Sequence, residues 1–143
     1  CNSEIMSVIK PGQHGSTFGG NPLGASISKS ALEIIINEKL TENAKKLGTV
    51  FREKINAYIK NSQLIKLVRG KGLLNAIVVN DSKRNTQTAW NICLRLKENG
   101  LLAKPTHGNI IRFAPPLVIN RNQMNECISI IIETIKEFEK DYL

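Results

Sequence analysis

The sequence lacks any apolar run that spans a bilayer. Runs such as Ile34-Ile35-Ile36 and Ile130-Ile131-Ile132 fall far short of the ~20 residues a crossing helix needs. It has only three cysteines, Cys1, Cys93 and Cys127. An odd, widely spaced set excludes a disulfide framework and a cysteine-based zinc site. Its two histidines, His14 and His107, stand 93 positions apart, so a histidine metal site is not expected. Aromatics are 5% of the chain, with one Trp and two Tyr, which leaves little surface for stacking bases. The start, Cys1 to Lys10, has no apolar core of a signal peptide and does not begin with Met, so it reads as a piece of a longer chain. No nucleophile–base–orienter triad stands out, and no carboxylate pair sits in an apolar setting.

What is present is ordinary for a globular protein. The 143 residues are 41% hydrophobic and 22% charged, enough for one domain with a core. The net charge is +8, and it is unevenly placed. Residues 1–60 carry +3, residues 61–120 carry +7 and residues 121–143 carry −2. A solvated lysine-rich surface explains such an excess, and a nucleic-acid or anion partner is the competing explanation.

The chain divides into readable elements. Residues 10–24 hold five Gly and two Pro and read as a loop. Asn21 then caps a helix with Pro22 at its first position. Leu23, Ile27, Ala31, Ile34 and Ile35 keep helical spacing to about Asn37. Thr41 and Glu42 begin a second helix with the stripe Leu40, Ala44, Leu47, Phe51, Ile55 and Tyr58. Residues 64–69 read as a strand, and Gly70 and Gly72 bracket Lys71 in a turn or bulge. Leu73 to Val79 is a second strand, followed by a polar turn over Asp81–Asn85. A helix over 86–99 is expected to turn Ala89, Trp90, Cys93, Leu94 and Leu96 inward. Leu101–Lys104 and Asn109–Ala114 read as short strands around Pro105-Thr106-His107-Gly108. Asn120 caps a last helix with Met124, Cys127, Ile128, Ile131, Ile135, Phe138 and Tyr142 on one face. This order predicts a two-layer α/β (α+β) fold, a short sheet covered by helices. The first ~35 residues have no strand partner and are expected to pack against something outside the chain.

Two segments suggest chemistry. Gly15-Ser16-Thr17-Phe18-Gly19-Gly20 offers backbone N–H groups and two hydroxyls ahead of a helix, which suits a phosphate. It lacks the Gly-Lys-Ser/Thr of a P-loop, and a plain surface loop is the alternative. Arg112 lies in the apolar strand Ile110-Ile111-Arg112-Phe113-Ala114. A buried or half-buried arginine there calls for an anion, for which a carboxylate matches its fork. An internal salt bridge or a water-facing strand position are the alternatives. Lys104 and His107 sit in the preceding loop. His107 and His14 read as loop histidines, and Arg69-Gly70-Lys71-Gly72 as a bulged strand junction, with anion binding as the other reading.

The segments also resemble a known family. Pro11-Gly12-Gln13-His14-Gly15-Ser16-Thr17-Phe18-Gly19-Gly20-Asn21-Pro22-Leu23-Gly24 is similar to the phosphate-side loop of class III aminotransferases, pyridoxal-phosphate enzymes of fold type I. Arg69-Gly70-Lys71-Gly72-Leu73-Leu74-Asn75-Ala76-Ile77 resembles their C-terminal domain. Leu101 to Leu117, through Lys104-Pro105-Thr106-His107-Gly108 and Ile111-Arg112-Phe113-Ala114-Pro115-Pro116, resembles the form found in ornithine aminotransferases.

The resemblance implies a last third of such an enzyme. Residues 1–38 would end the large cofactor-binding domain and residues 39–143 would form the small domain. Ser16 and Thr17 would contact the cofactor phosphate in the partner's active site of a homodimer. Arg112 would receive a substrate carboxylate, pairing with an upstream glutamate while ornithine reacts and freed for 2-oxoglutarate. The cofactor-carrying lysine and the aspartate at the pyridine nitrogen would lie upstream. None of the 14 lysines then takes that role, no catalytic residue is assigned here, and the chain by itself is expected to be inactive. The resemblance also implies a place in proline and arginine metabolism, no membrane or nucleic-acid partner, and a cytoplasmic or alternatively mitochondrial-matrix location. Acetylornithine or 4-aminobutyrate as amino donor, and a basic nucleic-acid or anion binding module, are the competing functions.

Overall fold

The computed structural model describes residues 1–80 and 87–142. The turn expected over Asp81–Asn85, and the side chain of Tyr142, lie outside what is described. The chain separates into two compact units, Cys1–Glu38 and Lys39–Leu143.

The first unit holds a short helix α1 (Ser3–Met6) and α2 (Pro22–Asn37). Asn21 caps α2 as expected, its Oδ1 accepting from the Gly24 N–H at 2.7 Å, with Pro22 at the first helical position. Neither helix buries a residue. The apolar positions Leu23, Ile27 and Ile34 of α2 are exposed.

The second unit runs α3 (Leu40–Ile59), β1 (Ile65–Lys71), β2 (Leu74–Val79), α4 (Thr88–Glu98), β3 (Lys104–Thr106), β4 (Ile110–Phe113) and α5 (Arg121–Tyr142). The strands form one antiparallel sheet in the order β1-β2-β4-β3. α3 lies on β1 and β2, α4 on β3 and β4, and α5 packs against both helices. The predicted α+β class, a short sheet covered by helices, is what forms. The core is Leu47, Phe51 and Ile55 of α3, Ile77 and Val79 of β2, Ile111 and Phe113 of β4, and the inward faces of α4 and α5. Asn120 and Gln123 cap α5 reciprocally, each side chain accepting the other's backbone N–H at 3.0 Å. That satisfies two donors a helix start otherwise leaves orphaned.

Three expectations are corrected. Gly70 and Lys71 belong to β1, which closes on β2 at Lys71↔Leu74. The turn is the two residues Gly72-Leu73, with Gly72 at φ +57°, a conformation glycine adopts freely. The register irregularity lies instead between Ile65 and Leu67. In α4, Ile92 is buried while Trp90 and Leu94 are exposed, because only Ala89, Ile92, Cys93 and Leu96 keep the i, i+3, i+4, i+7 step toward the sheet. The strand expected over 101–104 is 104–106, with Pro105 inside it. Proline is tolerated there because β3 is an edge strand and the missing N–H can face outward.

A polar clasp ties the helices to the sheet. The Arg52 guanidinium donates to Asn75 Oδ1 at 2.8 Å and to the Gly72 carbonyl at 3.1 Å. Asn75 is only 2% exposed. At the other end, Glu139 of α5 accepts from the Tyr58 hydroxyl, the Ser62 hydroxyl and the Leu64 N–H. Burial, and then the Glu139 carboxylate beside it, push the Tyr58 phenol above its ordinary range.

The cysteines make a direct test of this packing. Burial pushes the Cys93 thiol up to about 11. Burial and the neighbouring Glu126 raise that of Cys127. Cys1 is exposed. The thiolate is the reactive form. In the native chain near pH 8, an aromatic disulfide reagent should therefore label Cys1 at least ~10-fold faster than Cys93 or Cys127. In denaturant the three rates should converge. Three equal native rates would contradict this packing.

Candidate active site

The sheet has one covered face and one open face. Strand side chains alternate, so Asn75, Ile77 and Val79 of β2 and Ile111 and Phe113 of β4 turn to the helices and are buried. The alternate positions, Leu74, Ala76 and Val78 of β2 and Ile110 and Arg112 of β4, turn to the open face.

Arg112 stands in the middle of that face. It pairs in register with Ala76 on one side and Lys104 on the other. The sequence leaves open a buried or half-buried arginine with an anionic partner, an internal salt bridge and a water-facing strand position. Arg112 is exposed, because it occupies the phase opposite to Ile111 and Phe113. Among the described residues it has no ion pair and no side-chain hydrogen bond; the ion pairs there join Lys29 to Glu33 and Arg95 to Glu98, Glu137 and Asp141. The internal salt bridge is thereby set aside among the described residues, and the water-facing strand position is what the structure shows: a cationic fork turned away from the core, with Lys104 and no acid paired beside it.

Its surroundings form a shallow depression lined by Arg69, Lys71, Leu74, Ala76, Ile110 and Arg112, with Thr106 and His107 at its rim. Ala76 keeps the floor low between Arg69 and Arg112. His107 sits in the β3–β4 turn at φ +52°, its Nδ1 2.9 Å from the Thr106 hydroxyl, which fits the expected loop histidine.

The Gly-rich loop belongs to the first unit. Ser16 and Thr17 are exposed, and neither hydroxyl has a hydrogen-bond partner among the described residues. Gly19 packs against Ser16: a Cβ there would lie 2.9 Å from that of Ser16. Beyond the loop, Asn21 and Pro22 start α2, whose first turn points N–H groups back along the chain. His14 is exposed in the same loop.

Sequence reading missed two things. It noted Lys104 and Arg69 separately, but their alignment with Arg112 in one cross-strand row needs the register. It also missed the Arg52–Asn75 clasp behind that row. Asn75 inside an apolar strand was the signal available, since a buried amide needs partners.

Two readings place cations on this face, a carboxylate-binding enzyme site and a basic binding module. The comparisons bear on the family of the chain. The family model described as aminotransferase class-III matches residues 1–135. The chain is 58% identical over 135 residues to the mitochondrial ornithine aminotransferase of Drosophila melanogaster, covering 94% of this chain and 30% of that protein. It is 53% identical over 138 residues to that of Rattus norvegicus, covering 96% and 30%. Its fold superimposes on ornithine δ-aminotransferase of Plasmodium falciparum with a TM-score of 0.84 at 47% identity, over 98% of this chain and 36% of the other. It also superimposes on acetylornithine aminotransferase of Elizabethkingia anophelis with a TM-score of 0.83 at 61% identity, over 96% and 36%. The chain thus spans about a third of the length of the relatives it matches.

Proposed function

The chain belongs to the class III aminotransferase family, and from that premise we propose that it is the C-terminal part of an ornithine aminotransferase. The parent moves the δ-amino group of L-ornithine to 2-oxoglutarate, giving glutamate 5-semialdehyde and glutamate. The observation that carries this reading is Arg112, a cationic fork on the open face of the sheet with no ion pair or side-chain hydrogen bond among the described residues. A guanidinium offers two parallel N–H donors to a carboxylate, and both substrates bear one. The names of the fly, rat and Plasmodium relatives support ornithine as donor. The acetylornithine enzyme at 61% identity supports N-acetylornithine as the second reading.

Enzymes of this class work with pyridoxal 5'-phosphate, which when bound supplies the electron sink and carries the amino group. The Gly15–Gly20 loop fits its phosphate end. The Ser16 and Thr17 hydroxyls, unengaged among the described residues, and the glycine N–H groups can all donate, which suits a phosphate dianion. Ser16 and Thr17 would hold that phosphate in the partner subunit's site of a homodimer. Phe18, 81% exposed in a unit that buries nothing of its own helices, supports a loop that finds its packing elsewhere. Residues 1–38 are then the end of the large domain and residues 39–143 the small domain. The cytoplasm is the compartment read from the sequence and the mitochondrial matrix its alternative, which the names of the animal relatives support. No helix among the described residues is long and apolar enough to cross a membrane.

The test is the full-length parent, purified and given 2-oxoglutarate with either ornithine or N-acetylornithine. Glutamate with an aldehyde product from ornithine supports the reading. Turnover of N-acetylornithine alone selects the second reading, and turnover of neither removes both.

Thr17→Ala tests the phosphate site. Its hydroxyl has no hydrogen-bond partner among the described residues, so the fold should not change. A hydrogen bond to a charged group contributes about 1.5–3 kcal/mol, or roughly ten- to a hundred-fold in affinity. Cofactor titration of the parent should show that loss, with the rate at saturating cofactor little altered. Unchanged affinity would take Thr17 out of the site.

A further inference from the structure

One cross-strand row on the open face reads Arg69–Ala76–Arg112–Lys104. Lys104 stands directly opposite Arg112, and like charges so placed repel. Lys71 lies on the same face, opposite Leu74. The helices pack on the other face, where Asn75, Ile77, Val79, Ile111 and Phe113 are buried. By register and alternation the open face comprises Leu67, Arg69 and Lys71, then Leu74, Ala76 and Val78, and on the last two strands Lys104, Thr106, Ile110 and Arg112. That is four cations and no acid. Among the described residues none of the four cations has an ion pair or a side-chain hydrogen bond. A fold that opposes Lys104 to Arg112 without a counter-charge is electrostatically incomplete. Arg112 alone suffices for one carboxylate, so three further cations around it need a separate account.

We propose that Lys104 and Arg69 are specificity-determining residues of the aminotransferase, holding a positive field around Arg112 that favours the dianionic oxo acid and disfavours a cationic amino donor. This rests on the function proposed above. 2-Oxoglutarate carries two negative charges and ornithine a net charge of one positive. A fixed field therefore acts on the two substrates with opposite sign. It acts at the approach to the site, so it changes kcat/KM and leaves kcat alone. It weakens as salt shortens the screening length from about 10 Å at 0.1 M toward about 3 Å at 1 M.

The experiment uses the full-length parent with Lys104→Gln, Arg69→Gln and the pair combined. At low salt the double variant should lose about 3- to 10-fold in kcat/KM for 2-oxoglutarate and gain about 2-fold for ornithine, with both kcat values unchanged. At about 0.5 M salt both differences should shrink. Lys104→Arg keeps the charge and should retain wild-type values. Calorimetry with glutarate, a dicarboxylate that cannot react, should show weaker binding to the double variant at low salt. If ornithine is not the donor but N-acetylornithine is, whose net charge is zero, the donor constant should stay flat while that of 2-oxoglutarate still falls. That result keeps the field and rejects the ornithine reading. Equal changes for both substrates, or a fall in kcat, overturns the proposal. So does a lowered Tm with unchanged kinetics and glutarate binding, which would mean that acids elsewhere in the parent neutralise these cations.

Discussion

Gly48→Ala is expected to unfold the sheet-bearing unit at a markedly lower temperature, although alanine is the better helix former. Gly48 is buried on α3 where the helix meets the β1–β2 turn. A Cβ at that position would lie 1.7 Å from the Gly72 carbonyl oxygen and 2.4 Å from its carbon. Both are backbone atoms, so no side chain can swing away to make room. The turn has to move, and three things move with it. Leu73 is 4% exposed in the core. The Gly72 carbonyl loses its Arg52 donor, and the same guanidinium holds buried Asn75. Overpacking costs ~1–3 kcal/mol, and an abandoned buried polar group ~1–3 more. The helix gains up to ~1 kcal/mol from replacing glycine. The net, about 1–5 kcal/mol, lowers Tm by about 5–25 °C in a unit of this size. Thermal unfolding followed by circular dichroism reads it, with Lys45→Ala on the exposed side of the same helix as control. An unchanged or raised Tm would show that α3 does not press on this turn.

The contrast between Gly48 and Arg112 shows what a sequence exposes and what it hides. α2, α3 and α5 were legible because periodic apolar spacing acts within one element, as do the side-chain caps of α2 and α5: Asn21 and Asn120 needed no knowledge of the rest. Arg112 was legible as a charged residue in an apolar strand, but its burial was not. Which phase of a strand faces the helices depends on which neighbours it joins, and β4 pairs with β2 across 30 intervening residues. The same gap hid the Lys104–Arg112 opposition. In α4 the size of Trp90 and Leu94 misled, since hydrophobicity marks what burial would favour and only geometry decides what is buried. Gly48 gave one faint local signal. A glycine inside a helix costs stability, and that cost alone hinted that something approaches its backbone closely.

Arg112→Lys in the complete enzyme should behave as a severe change, although the charge is kept. Arg112 is exposed and its side chain makes no hydrogen bond or ion pair among the described residues, so the variant should fold with unaltered stability. Any loss is then a loss of recognition. Lysine keeps the point charge, and with it the field shared with Lys104 and Arg69. It gives up the planar two-donor fork that matches a carboxylate. The half-reaction with 2-oxoglutarate should lose about 2–4 kcal/mol, one to three decades in kcat/KM. The half-reaction with ornithine should suffer less, because the family resemblance has an upstream glutamate covering the arginine at that stage. Single-turnover measurement of each half-reaction separates the two. Field and fork are also separable. Neutralising Lys104 should move the two substrates in opposite directions and respond to salt, whereas Arg112→Lys should hurt the oxo acid at every ionic strength. Equal losses in both halves would end the idea of a switched arginine and leave Arg112 a general carboxylate contact. No loss in either would return it to an ordinary water-facing strand residue, and the proposed active-site face would lose its centre.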